Sequence, residues 1–302
     1  MAELTYRPWK DADGVALNDM WGDAEHAAAA GRDLFREATD APFSRTIVAE
    51  DQTVPVAAGV VAEASVHPQR LWAYIEVAKD HRNHGVAATL LAMLRQEAAA
   101  ADTSTNRLRA KVGPGTAGEA FAASAGLGAI QRSRIVRVSP GSLGVGDLAE
   151  DESRKVEDLA TGSVELTRAL WDFYRDVHQW DPPAEIGIGK VNQLFLGHDA
   201  GAHGAVVLRA EGSILAFAIS YTQPQEDPEA AQPPADVLLG YDTSSPASAS
   251  GDGVRQLLAL LTHQYPVEVE VDDSMEVLCQ VLDPLIASGA AEVVSETNIV
   301  SE

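Results

Sequence analysis

The stretch Leu71–Leu94, LWAYIEVAKDHRNHGVAATLLAML, limits what this chain can fold into more than any other. Leu71–Val77 is an apolar run of strand length. From Val86 onward Leu90, Leu91, Met93 and Leu94 give a helical pattern, and dense alanine carries it to about Ala100. Between the two, Arg82-Asn83-His84-Gly85-Val86-Ala87 has the form Arg-x-x-Gly-x-Ala. A strand that passes into a helix through so short a loop presents the first helical N–H groups, which lack internal partners. Those donors and the helix dipole favour an anion, and a phosphate fits them well. Gly85 lets backbone approach a ligand, and the small Ala87 and Ala88 keep the first turn open. An ordinary strand–turn–helix would use the same residue types, so the surroundings decide the meaning.

Those surroundings resemble the coenzyme-A loop of the GNAT superfamily of N-acyltransferases. In that family a valine ends the fourth strand five residues before the arginine, as Val77 stands before Arg82. The resemblance implies that Arg82, Asn83, His84, Gly85, Val86, Ala87 and Ala88 hold the coenzyme-A pyrophosphate. It also implies that Ile75 and Val77 lie along the thioester, whose carbonyl a backbone N–H near Val77 can polarise. Acetyl-CoA is then the co-substrate, and no metal is needed.

Length and charge narrow the setting. A chain of 302 residues has room for two ordinary domains, each with a core. A net charge of −23 argues against a nucleic-acid partner; it is compatible with cationic small molecules such as amines, although solubility or a salty habitat is the plainer explanation. No apolar run is long enough to span a membrane, since Glu63 and Glu76 interrupt the longest ones. The start MAELTY reads as a folded strand and not as a leader, so a cytoplasmic setting is expected. Cys279 is the single cysteine, which excludes internal disulfides and thiolate metal sites; its apolar helical setting suits a core thiol.

In order, the pattern predicts a strand over 4–10, helices around Val15–Ala24 and Ala27–Ala38, and strands over Thr46–Glu50 and Pro55–Val66. The central stretch follows, then a strand over Asn106–Val112, a helix over Ala117–Ser124 and a last strand over Arg132–Val138. The small, polar and acidic stretch after Ser139 has linker composition. The expected division is a first domain at 1–140, a linker at 141–162 and a second domain at 163–302.

The second half repeats the first. Ala205–Tyr221 has the two-strand pattern of Thr46–Ala62, and Val237–Tyr241 takes the place of the fourth strand. Gly253-Val254 followed by Leu257, Leu258 and Leu261 echoes Gly85-Val86 followed by Leu90, Leu91 and Leu94. The copy departs where an anion would bind, with Ser250 at the Arg82 position and Arg255 at the Ala87 position. The fold class expected is therefore α/β (α+β): two tandem GNAT-like domains, each a mixed, mostly antiparallel sheet flanked by helices. The second is expected to be degenerate and not to bind coenzyme A.

Acyl transfer to an amine needs a neutral amine, an aligned thioester, donors for the developing oxyanion and a departing thiolate. Glu76 is the candidate catalytic base, as the sole carboxylate in an apolar strand; a solvent-facing strand glutamate is the other reading, and Glu63 is a second choice. Trp21, Phe35 and Phe43 are either acceptor-wall or core residues. His81 and His84 either touch phosphate or are solvated loop residues. Arg107, Arg109, Arg132 and Arg134 either form a patch for the coenzyme's 3′-phosphate or a solvated strand face. In the family a tyrosine often stands where this chain has Ala122, and an asparagine where it has Gly115. Tyr74, Ser124 or water would then have to replace the usual proton donor.

The function expected is an acetyl-CoA-dependent N-acetyltransferase, active in its first domain only, on a small-molecule or peptide amine. A catalytically impaired coenzyme-A-binding regulator or scaffold is the alternative. The chain is expected to be a monomer (a pseudodimer of its two halves) or a homodimer. The acidic, proline-rich Pro224–Pro234 either overhangs the acceptor site or is a surface loop.

Overall fold

The computed structural model describes residues 4–22, 27–144, 153–222 and 234–302, with the backbone alone for 27–29. All of Pro224–Pro234 but its last residue lies outside them, as does 145–152 of the expected linker.

The strands and helices follow the hydrophobic pattern. In order they are β1 (Thr5–Pro8), α1 (Asp13–Trp21), β2 (Thr39–Asp40), β3 (Phe43–Asp51), β4 (Val54–Ala62), β5 (Leu71–Val77), α2 (Val86–Ala100), β6 (Leu108–Val112), α3 (Ala117–Ser124) and β7 (Gly128–Val138). Then come β8 (Arg154–Asp158), α4 (Val164–Val177), α5 (Ile188–Val191), β9 (Ala202–Ala210), β10 (Ser213–Tyr221), β11 (Ala235–Tyr241), α6 (Ala247–Leu261), β12 (Val267–Asp272), α7 (Glu276–Ser288) and β13 (Ala291–Ser301). Two short elements are among those that differ from the sequence pattern. Ala27–Leu34 is a 3-10 segment and not an α-helix, with Gly31 at its centre. Arg154–Asp158, inside the polar stretch read as linker, pairs with β9 because Val156 packs against the core while Glu157 meets Arg209.

The chain forms two compact units, neither of them continuous in sequence. One contains residues up to Arg132 together with Asp181–Ala184 and Glu296–Glu302; the other contains Ser133–Trp180 and Glu185–Ser295. In the first unit the strand order is β1-β3-β4-β5-β6-β13, with β2 on β3. In the second it is β7-β12-β11-β10-β9-β8.

Each unit contains the same turning point. β5 and β6 are parallel neighbours joined through α2, and β11 and β12 are parallel neighbours joined through α6. Parallel strands require such a crossover, and a helix is the usual one. The internal repeat is therefore a repeat of topology. The last strands are traded between the halves, however. β13 lies antiparallel to β6 through Asn298–Ser301, and β7 lies antiparallel to β12 through Ser133–Val138. The strand read as closing the first sheet thus belongs over most of its length to the second unit.

The core of the first unit sits between β3–β6 and α2, where Leu90 and Leu94 are fully buried. Each such leucine contributes about 1.5–3 kcal/mol. A buried ionic cluster holds the two late segments of this unit. Asp181 accepts from Arg70 Nη1 at 2.7 Å and from Arg109 Nη1, and its carbonyl lies 2.5 Å from His67 Nδ1. Arg70 Nε also donates to Ser301 Oγ at 2.9 Å, so one guanidinium ties both segments. Arg109 lies 4.0 Å from the Trp72 ring centre, a cation–π contact.

Candidate active site

The site grows from the way β5 parts from its neighbour. β5 pairs with β4 along Trp72–Val77, yet it pairs with β6 only at Leu71 and Trp72. Leu71 N–H donates to Arg107 on the β6 side, and Ala78 N–H donates to Val56 on the β4 side. Backbone groups alternate sides along a strand. The N–H groups of Ile75 and Val77 therefore face the side that β6 has left. Ile75 and Val77, predicted to lie along a thioester, share an open row of donors. The Val77 carbonyl on that side accepts from Arg82 Nε at 3.0 Å, which folds the arginine back over the strand end.

The loop that follows is shaped for an anion. Lys79–His81 makes one 3-10 turn, Arg82 is extended, and Asn83 and Gly85 have φ of 64° and 81°. Left-handed residues among ordinary ones turn successive N–H groups toward a common point, a concavity that binds anions. Asparagine tolerates this region and glycine adopts it freely. A Cβ on Gly85 would meet nothing within 4 Å, so the glycine is required by φ and not by space. No side chain caps α2, which leaves its first N–H groups to a ligand or to water. Arg82, Asn83, His84 and Ala88 are exposed and Ala87 is half-buried. These residues fit a pyrophosphate.

Tyr74 and Glu76 point to the other face of β5. Arg32, from the 3-10 segment, donates to Glu76 Oε2 and Oε1 at 2.8 and 2.6 Å, and Tyr74 Oη donates to Oε2 at 2.7 Å. The Glu76 hydrogen bonds raise the Arg32 pKa. Burial, and then Glu76, push Tyr74 well above the usual tyrosine value. Phe35 stacks on Trp9 and also meets Trp21 and Tyr74, which places Trp21 and Phe35 in one aromatic cluster. Gly31 permits this packing, since a Cβ there would stand 2.3 Å from the Tyr74 ring. Arg32 was not singled out from the sequence. The signal was the lone carboxylate in an apolar strand, which calls for a cationic partner.

Several other residues are engaged elsewhere. Glu63 accepts from Phe43 N–H at 2.7 Å and so fastens β3, while Phe43 is buried in the core. Ala122 packs with Val112, Leu127 and Val300, so the position where the family often has a tyrosine is core. Ser124 Oγ donates to the Phe121 carbonyl. Three of the four arginines are each engaged with a partner: Arg107 reaches the Glu302 carbonyl, Arg109 is buried on Asp181, and Arg134 pairs with Asp283. Burial raises the Cys279 thiol pKa, consistent with an inert core cysteine.

The second unit differs at the corresponding place. The stretch before Gly253 reads as a loop but folds as the first turns of α6, which starts at Ala247. Ser250 is buried and donates to the Asp242 carbonyl at 2.8 Å. Gly253 is helical, and a Cβ there would lie 3.2 Å from the Leu208 and Leu215 side chains. Arg255 is exposed. No helix start faces outward at Gly253 as one does at Gly85.

The acetyltransferase (GNAT) family matches residues 9–122. That part of the chain is a GNAT acetyltransferase domain, of a family that moves an acyl group from acyl-CoA to an amine. Solved structures of the same fold extend the likeness to the whole chain. A GCN5-related N-acetyltransferase from Sphaerobacter thermophilus is similar at TM-score 0.63 and 11% identity, covering 100% of this chain and 96% of its own. A tandem GNAT protein from the clavulanic acid biosynthesis pathway aligns at TM-score 0.55 and 16% identity, covering 99% and 98%. A putative acetyltransferase from Pyrococcus horikoshii aligns at TM-score 0.55 and 10% identity, covering 100% and 90%. No curated protein matches the sequence. The fold is thus a tandem GNAT arrangement. Among the described residues no group of side chains could hold a metal ion, and no helix is long and apolar enough to cross a membrane.

Proposed function

We propose that the chain is an acetyl-CoA-dependent N-acetyltransferase whose single working site lies in its first half. One observation carries this reading: the open N–H row of Ile75 and Val77 lies at the end of β5 that leads, through one short loop, to the uncapped start of α2. The loop from Arg82 to Ala88 supplies phosphate donors, and the β5 edge supplies donors for a thioester carbonyl. Acetyl-CoA brings the activated acyl carbon; the amine nitrogen bonds to it as the C–S bond breaks, and the thiolate carries off the bonding pair. N–H groups held rigidly in a strand stabilise the developing oxyanion without reorganising.

Proton transfer is assigned sparingly. Glu76 is the base in this proposal, acting once an acceptor takes the place of Arg32 at its carboxylate. Tyr74 and Ser124 already donate elsewhere, so water protonates the thiolate. The halves divide the work as 1–140 and 163–302, with 141–162 between them. The helical start of α6 and the buried Ser250 support a second half that binds no coenzyme.

A coenzyme-A-binding regulator is the second reading, favoured by the engaged state of Glu76, Tyr74 and Ser124. Calorimetric titration with acetyl-CoA, followed by free-thiol release across an amine panel, separates the two. Binding with amine-dependent thiol release is the expected result. Binding without release for any amine selects the regulator, and absence of binding overturns both.

A further inference from the structure

Between buried Ala78 and buried Val86, six of the seven residues are exposed, and His81 is the exception. Its Nε2 lies 3.1 Å from Asp51 Oδ2. The contact is the one polar interaction that either side chain makes, for His81 Nδ1 and Asp51 Oδ1 are buried without a protein partner. A carboxylate only accepts, so Nε2 is the donor in this contact.

Asp51 is well placed to serve as an anchor. It ends β3 opposite Val54, and Gln52 and Thr53 between them have φ of 50° and 72°. Two left-handed central residues make a tight two-residue hairpin turn, whose twist matches the strands it joins. The carboxylate thus stands at a paired strand end. Besides local backbone bonds such as His81 N–H to the Ala78 carbonyl, the loop is held by the Ala78 N–H bond to Val56 at its start and by the exposed Arg82–Val77 contact. Asn83, one residue beyond Arg82, must keep a left-handed φ that an untethered asparagine would often leave.

From this we infer that Asp51 and His81 form a positioning pair that holds the Arg82–Ala88 loop in its anion-binding shape. This rests on the coenzyme reading above and adds residues from outside the loop. A cradle of N–H groups loses affinity when it shifts by a fraction of an ångström, because donors must converge on the same oxygens. The pair touches no ligand; it acts through the backbone.

The test is acetyl-CoA affinity by calorimetry for wild type, His81→Ala, Asp51→Ala and the double variant, with unliganded thermal midpoints measured alongside. Each single variant should bind about ten- to a hundredfold more weakly. The double variant should be no worse than either single one, since both break one contact. His81→Gln, whose amide can still donate to Asp51, should recover most of the affinity. His81→Gln and Asp51→Asn also keep the comparison usable if an alanine variant folds poorly. Wild type that binds no acetyl-CoA would sink the coenzyme reading and this inference together. Wild type that binds, with His81→Ala unchanged or with losses that add fully in the double variant, would overturn the inference alone.

Discussion

Arg32 grips Glu76 with two parallel bonds, and Tyr74 donates to the same carboxylate from two residues earlier on its strand. Planar two-point pairing is the strongest geometry available to a guanidinium and a carboxylate. Both side chains are about one-sixth exposed or less, so the pair is only partly screened. Arg32→Ala should lower stability by about 1–3 kcal/mol in urea unfolding. Glu76→Gln should let Tyr74 ionise at lower pH, seen as phenolate absorbance, because the charge that helps keep its proton is gone. An unchanged Tyr74 titration would count against the network.

Alkali should reveal the buried tyrosines. Burial, then Asp236, pushes Tyr221 up to about 12, and burial also raises Tyr241. The folded chain keeps these protons to higher pH than the unfolded one, whose tyrosines titrate near the ordinary value of about 10. Their stabilisation is therefore intact below about pH 10 and falls as pH rises toward 12. Urea midpoints measured from pH 8 upward should fall across that window, and Tyr221→Phe should flatten the decline.

One charge reversal in each half tests where coenzyme binds. Arg82→Glu places a carboxylate beside the N–H cradle and should weaken acetyl-CoA binding by about ten- to a hundredfold. Arg255→Glu, on the exposed face of α6, should leave the affinity unchanged. Equal losses in calorimetry would contradict a single site in the first half.

Asp181 is fully buried, and two guanidinium groups converge on it. Removing one member of a buried ionic cluster is costly because the others stay in a poor solvent for charge. Asp181→Ala should destabilise by about 3–5 kcal/mol. Asp181→Asn, which keeps the shape and one acceptor, should cost less. Denaturant unfolding of both variants checks the order.

The sequence was informative wherever a local pattern and a short-range rule coincide. The turn from β5 into α2 is of this kind, since apolar runs, Gly85 and small first-turn residues all lie within one stretch. The duplication was legible for the same reason, as was Ala122 in place of a tyrosine. Contacts across long separations were not. Arg32 meets Glu76, His81 meets Asp51, and Asp181 meets Arg70 and Arg109 through folding alone. Arg109 illustrates the limit, because alternation along β6 reads it as solvated while a distant carboxylate lets it be buried. The start of α6 shows another: small polar residues before Gly253 serve a loop or a helix equally well, and tertiary packing decided for helix.

The placement of β13 sets a schedule for the newborn protein. Its residues up to Ser301 supply the strand beside β6, and Ser301 Oγ is bonded to Arg70 and to the Leu108 carbonyl. Early domains commonly fold while later ones are still being translated. Here the half that emerges first keeps one side of β6 open until Asn298–Ser301 has been made. Loss of those four residues would damage a sheet whose first strand starts at Thr5.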